Sequence, residues 1–259
     1  RKHLLREAHD GWVWIRERPG MLGLLLYFPV VNLGTGMVNP LFPPLVLSFT
    51  TPAALGLAVT VASVGMVVGG VALSAWGGPK RLLRGLLLCQ AASCVCVALV
   101  GLRASLPLVT LGLFLSLMLT PTAQACSQTI WLTKTPQEML GRVLSIRRML
   151  AMSSIPLSAL AAGPLAERVF EPLMAPGGAL QGTLGRVMGS GDGRGIGLMY
   201  VVISLFVLVA TGLLYLNPRV RHLEQEIPDA PLPAPPPEDA EPEAEELAAA
   251  ELGGTPSPA

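Results

Sequence analysis

Charge is scarce in this chain. Asp, Glu, Lys and Arg make up 14% of its 259 residues, where a soluble domain carries about one-quarter. That excludes an ordinary water-solvated globule, whose outer face must be polar. Histidine is scarcer still: His3, His9 and His222 all lie in the flanks, at no metal-ligand spacing. No nucleophile has a base in a convincing setting. An enzyme is therefore not expected, and neither is a cofactor or a metal. The four cysteines, Cys89, Cys94, Cys96 and Cys126, fall in apolar segments without a CxxC pair. They read as small buried residues. Basic residues occur in separate short loops and never as a broad patch interleaved with aromatics, so no nucleic-acid partner is expected. Carboxylates are missing from the apolar segments. The nearest is Glu167, at the outer end of the fifth, which reads as a loop residue pairing with Arg168 or water. The glycine-rich GSGDGRG at 189–195 lacks the Lys-Ser/Thr of a phosphate loop and follows no strand, so it reads as an external loop.

What is abundant is apolar length. Hydrophobic residues make up 51% of the chain and the mean hydropathy is +0.57, which places it among membrane proteins. Six uncharged runs, at about 21–49, 53–76, 86–102, 106–132, 149–165 and 196–216, are each long enough for a spanning helix. The expected fold class is all-α: a polytopic membrane protein with six transmembrane helices over 21–217. Residues 1–20 read as a cytoplasmic amphipathic linker, with Leu4, Leu5, Ala8, Trp12 and Ile15 on one face and Pro19-Gly20 as its end. Residues 133–148 read as a basic loop. From 218 to 259, Pro, Ala and Glu dominate without apolar period, which reads as a disordered acidic tail. The sequence opens at Arg1 without the apolar core of a signal peptide, so it reads as the continuation of a longer protein.

Positive charge alternates between connections. Arg1, Lys2, Arg6, Arg16 and Arg18 fall on one side, followed by Lys80, Arg81 and Arg84, then Lys134, Arg142, Arg147 and Arg148, then Arg219 and Arg221. The other side holds Arg103, Arg168, Arg186 and Arg194. By the positive-inside rule both termini are cytoplasmic, in the inner or plasma membrane. Six spans satisfy this alternation; five or seven break it.

Polar side chains inside the spans are few. The first span carries Asn32, Thr35 and Asn39 between Pro29 and the prolines at 40, 43 and 44, and reads as a broken helix. Gln90 lies in the third span, and Gln124 and Gln128 in the fourth. Such amides are costly against lipid, so they face other helices or a wet cavity. Asn32, Asn39, Gln90, Gln124 and Gln128 are the substrate-cavity candidates. Phe28, Phe42, Met66, Phe114, Met118 and Trp131 offer adaptable apolar contact. Helix packing accounts for each single amide as well as ligand contact does.

Three passages resemble the C-terminal half of a major facilitator superfamily transporter of the drug and siderophore efflux branch, including macrolide-efflux and enterobactin-exporter types. REAHDGWVWIRERPGMLGLL is similar to the central linker and the start of the seventh helix. GGVALSAWGGPKRLLRG is similar to the second copy of the superfamily's loop motif, with Gly69, Gly70, Gly77 and Gly78 at its small positions and Lys80 and Arg81 at its basic end. The motif's acidic residue is absent. TPQEMLGRVLSIRRM is similar to the loop between the tenth and eleventh helices, with Pro136, Glu138, Gly141 and Arg142 matching. The resemblance implies half of a twelve-helix fold and a midplane cavity. It further implies alternating-access efflux of an amphipathic small molecule, and a partner that is either a missing N-terminal half or a second copy. Lipid bilayer and small-molecule substrate are the other expected partners. The competing expectation is a non-transporting membrane anchor that holds a cytoplasmic protein through its tail.

Overall fold

The computed structural model describes residues 10–189, 191 and 193–221. The first half of the linker and the tail from 222 onward lie outside the described residues. Six helices are long and apolar enough to cross a membrane: α1 (Pro19–Leu47), α2 (Pro52–Trp76), α3 (Leu82–Leu102), α4 (Leu106–Lys134), α5 (Gln137–Leu165) and α6 (Arg194–Leu216). The chain is an all-α polytopic membrane protein.

The local sequence accounts for the helix ends. Proline occupies the first turn of α1, α2 and α4, where its missing N–H is no loss. Thr51 caps α2 by accepting from the Ala54 N–H. Gly77, at φ +77°, closes α2 by turning left-handed while its N–H reaches the Leu73 carbonyl. Arg103 and Ser105, both extended, separate α3 from α4 with a bend at Ala104 between them.

Three expectations change. Residues 133–148 are not a loop: Thr135 and Pro136 alone part α4 from α5, and α5 begins at Gln137. Gln, Glu, Met, Leu and Arg are all good helix formers, and Val143 and Ile146 bury one side of that turn in the core. Charge made the stretch look like a loop, but the charges sit on a continuing helix. The first span is likewise one continuous helix through Pro29, Pro40, Pro43 and Pro44. A third difference concerns the linker: residues 10–16 are helical, but Ile15 is fully buried in the bundle rather than lying against lipid. After α5 the chain widens into a π-helical turn at Ala166–Phe170, makes a last turn at Glu171–Met174, and carries the short helix Gly185–Met188 before α6.

Two apolar clusters fix the directions of the helices. One joins Met21 and Leu24 of α1, Leu83 and Leu87 of α3, Ile130 and Trp131 of α4, Val143 and Ile146 of α5, and Leu214 of α6. The other joins Leu41 and Leu45 of α1, Val100 of α3, Val109 of α4, Ala162 of α5, and Met199 and Tyr200 of α6. Helices therefore alternate up and down. The Lys80–Arg84 turn, the start of α5 and the end of α6 share the first end.

The helices pack in series: α2 on α4, α4 on α3, α3 on α6, α6 on α1, and α1 on α5. Exchanging α1–α2–α3 with α4–α5–α6 leaves this set of pairs unchanged. The first unit starts at one end of the bundle and the second at the other, so the two units are inverted copies of one packing plan. α2 and α5, the two ends of the series, expose large apolar residues, among them Val67, Val71, Leu157 and Leu160.

Candidate functional site

The site is built on α1, α4 and α5. On α1, Phe28, Asn32, Thr35 and Asn39 follow one another at three-, four- and seven-residue steps and so share a face. Asn32 is half-buried, and Thr35 and Asn39 are exposed. The opposite side of α1 carries Gly34, Leu41 and Leu45 into the core. On α4, Gln124 and Gln128 stand one turn apart and are both exposed, while Ser127, Ile130 and Trp131 are buried beside them. Thr35 satisfies itself by donating to the Val31 carbonyl. Among the described residues, the side-chain amides of Asn32, Asn39 and Gln124 have no hydrogen-bond partner.

α5 supplies a residue that the sequence places in a loop. Arg147 lies ten residues into α5, or about 15 Å along its axis at 1.5 Å per residue. It reaches both other helices. Its Nη1 donates to Gln128 Oε1 at 3.2 Å and its Nη2 to Ser127 Oγ at 2.8 Å. Its guanidinium carbon lies 4.8 Å from the centre of the Phe28 ring and 5.5 Å from that of Trp131. Insertion scales put a bare arginine at a helix centre at about 2.5–3.5 kcal/mol. A charge-assisted hydrogen bond contributes about 1.5–3 kcal/mol and an aromatic face about 0.5–1 kcal/mol. The two bonds and two rings are thus enough to hold the cation there. None of these partners is a carboxylate. The described carboxylates, Asp10, Glu17, Glu138, Glu167 and Glu171, lie at the two ends of the bundle, and only Asp10 and Glu17 come within ion-pair distance of an arginine in the ion pairs Arg142–Asp10 at 3.9 Å and Arg18–Glu17 at 3.9 Å.

The expected residues divide accordingly. Gln128 is joined to Arg147 directly. Gln124 lies one turn outward from Gln128, and Asn32 one turn outward from Phe28. Asn39 continues the α1 stripe two turns beyond Asn32. Gln90 stands apart on α3, where its amide donates to Cys94 Sγ along its own helix at 3.8 Å. The loop residues are elsewhere. Gly77 ends α2, Gly78 follows it at φ +83°, and Lys80 and Arg81 are exposed at the next turn. Gly141 is exposed on α5. Arg142 pairs with Asp10 and donates to Met139 Sδ at 3.7 Å, tying the start of α5 to the helical residues 10–16. Arg147 and Ser127 were missed for a simple reason. Read as one residue of a basic run, Arg147 carries no mark that separates it from its neighbour Arg148, which is exposed. The helical register alone separates them.

Apart from this site, an apolar groove of about 220 Å³ between α3 and α6 is lined by residues that include Cys94, Val95, Ala98, Leu99, Val201 and Ser204. It holds no charged group, and its hydroxyl, that of Ser204, is buried without a partner. Against known proteins, the chain matches no family model, no curated protein and no solved structure.

Proposed function

We propose that this chain is a secondary transporter, or one six-helix half of one, that exports an amphipathic small molecule by alternating access in the cell membrane. One observation carries the reading: Asn32, Asn39 and Gln124 sit within spanning helices, outside the packed core, with no internal hydrogen bond. An amide facing hydrocarbon without a partner is costly. A water-filled path between α1 and α4 removes that cost. The inverted pairing of the two three-helix units supports the same reading, because transporters commonly bind their solute where such units meet. The resemblance of residues 69–85 and 135–149 to major facilitator loops agrees with it. In this reading Lys80, Arg81, Arg84, Arg142 and Arg219 mark the cytoplasmic end. The open edges at α2 and α5 take lipid, a second six-helix unit or another copy.

Full-length gene product expressed in an efflux-deficient host tests this. Cells are loaded with a panel of amphipathic dyes, and retained dye is measured with and without an energised membrane. The expected result is energy-dependent loss of at least one dye, reduced severalfold by Asn32→Leu and by Gln124→Leu at equal membrane expression. Retention that never changes across the panel rejects transport. Export unaffected by either substitution removes these two amides from the path.

A further inference from the structure

We propose that Arg147 is the counter-ion for an anionic head on the transported solute, and that the solute is an amphipathic monoanion with a carboxylate or sulfonate on an aromatic or alicyclic body. This rests on the transport reading and deepens it.

Arg147 has five N–H donors, and the described residues engage two of them, both with neutral acceptors. Its positive charge has no described carboxylate beside it. Glu138, the nearest on its own helix, lies nine residues back, about 13 Å along the axis, and is exposed at the helix start. The other four described carboxylates are at the ends of the bundle. A guanidinium held by neutral partners through one N–H on each Nη keeps three donors, Nε–H and one N–H on each Nη, for a planar anion such as carboxylate or sulfonate.

The surroundings define the rest of the ligand. Phe28, half-buried, flanks the cation with its ring, which suits a flat apolar body next to the anionic group, while the fully buried Trp131 supports the guanidinium from the core side. Asn32 and Gln124 lie one turn farther into the membrane on the faces that carry Phe28 and Gln128, with free amides for a hydroxyl or carbonyl on that body. A purely structural role, a tether from α5 to α4 and α1, explains the two hydrogen bonds equally well. It predicts no preference for charge in the ligand, and that difference is measurable.

The full chain is purified into phosphatidylcholine nanodiscs, and equilibrium binding of 2-naphthoate is compared with that of its uncharged amide, 2-naphthamide. The native protein should bind the anion at least tenfold more tightly than the amide. Arg147→Gln should weaken 2-naphthoate at least tenfold and leave 2-naphthamide unchanged. Arg147→Lys should restore part of the preference. Equal affinities in the native protein, or no binding of 2-naphthoate, overturn the proposal without recourse to any variant. Equal weakening of both ligands in Arg147→Gln overturns it in favour of the tether. A protein that binds 2-naphthoate through Arg147 yet never moves it across a liposome membrane loses the transport reading and keeps the site. A protein that exports neutral dyes equally well with Arg or Gln at 147, and shows no anion preference, loses the site and keeps transport.

Discussion

Gly69 and Gly70 are neighbours on α2 with opposite surroundings. A methyl group placed on Gly69 would run into the Met118 carbonyl oxygen, with the Met118 carbonyl carbon at 2.8 Å and Cα at 3.0 Å. One placed on Gly70 would meet nothing within 4 Å. The obstacle at Gly69 is backbone, so no rotamer change relieves it and α2 must move away from α4. Overpacking of this kind costs about 1–3 kcal/mol. Both substitutions to alanine also gain helix propensity, about 1 kcal/mol each. Gly69→Ala should therefore be neutral to destabilising, and Gly70→Ala should be neutral to stabilising. The difference between the two variants is the overpacking cost, roughly 5- to 150-fold in the unfolding equilibrium. Reversible unfolding in bicelles, followed by a thiol or fluorescence probe on α2, measures both variants on the same scale. Gly65, whose added methyl would meet the Phe114 carbonyl oxygen, should behave like Gly69. If Gly69→Ala proves as stable as Gly70→Ala, the close parallel contact between α2 and α4 is refuted.

Other junctions make different predictions. A methyl on Gly34 would lie 2.8 Å from Val207 Cγ2 and 3.2 Å from Ile203 Cγ2; here side chains are in the way, so Val207→Ala should rescue part of the loss from Gly34→Ala, with a coupling of about 1 kcal/mol in a double-mutant cycle. Thr211 Oγ1 donates to the Val207 carbonyl at 2.7 Å and also meets Tyr27 Oη at 2.7 Å. With that proton committed, Tyr27 is the donor to Thr211. Thr211→Val strands a buried O–H and should cost about 1–3 kcal/mol, whereas Tyr27→Phe leaves Thr211 satisfied and should cost about 0.5–1.5 kcal/mol; unfolding midpoints in the reverse order contradict the assignment. Single cysteines in a cysteine-free background test sidedness. Those at Lys80 and Glu138 should react with an impermeant maleimide only from the cytoplasm, and those at Ala104 and Ala179 only from outside.

The helices were legible because each rests on one strong signal, a long run without charge. Direction was legible too, since Lys80 and Arg142 fall at the same end in both sequence and structure. What was not legible depends on register. Nothing in TKTPQEMLGRVLSIRRM distinguishes a basic loop from a helix that buries Val143 and Ile146 and turns Arg147 inward while Arg148 turns out. Hydropathy averages over precisely that distinction of faces. The prolines of α1 misled in the opposite direction. Proline removes one backbone donor but does not by itself end a helix supported by its neighbours, and α1 is supported on both sides, by α5 and by α6, with Tyr200 Oη donating to the Val38 carbonyl at 2.7 Å. Of the five amides singled out, sequence had no means of separating Gln90, which faces its own helix, from Asn32 and Gln124.

Lipid gives apolar helices no hydrophobic reason to associate, so contact must come from close fit. The series α2–α4–α3–α6–α1–α5 meets that need at every junction with glycine. Gly65 and Gly69 lie against α4, and Gly112 lies against α3, where an added methyl would sit 2.7 Å from the Cys96 carbonyl oxygen. Gly101 and Gly197 face each other between α3 and α6, Gly34 lies against α6, and Gly36 lies against Ser158 of α5. Backbones held this closely have little room to slide, which makes the six helices one stiff body. No comparable contact joins α1 to α4, where the helices are bridged by the Arg147 side chain instead. Asn32, Asn39, Gln124 and Gln128 lie along that seam without a backbone-close glycine, so four of the five candidate amides stand where the helices are packed least closely.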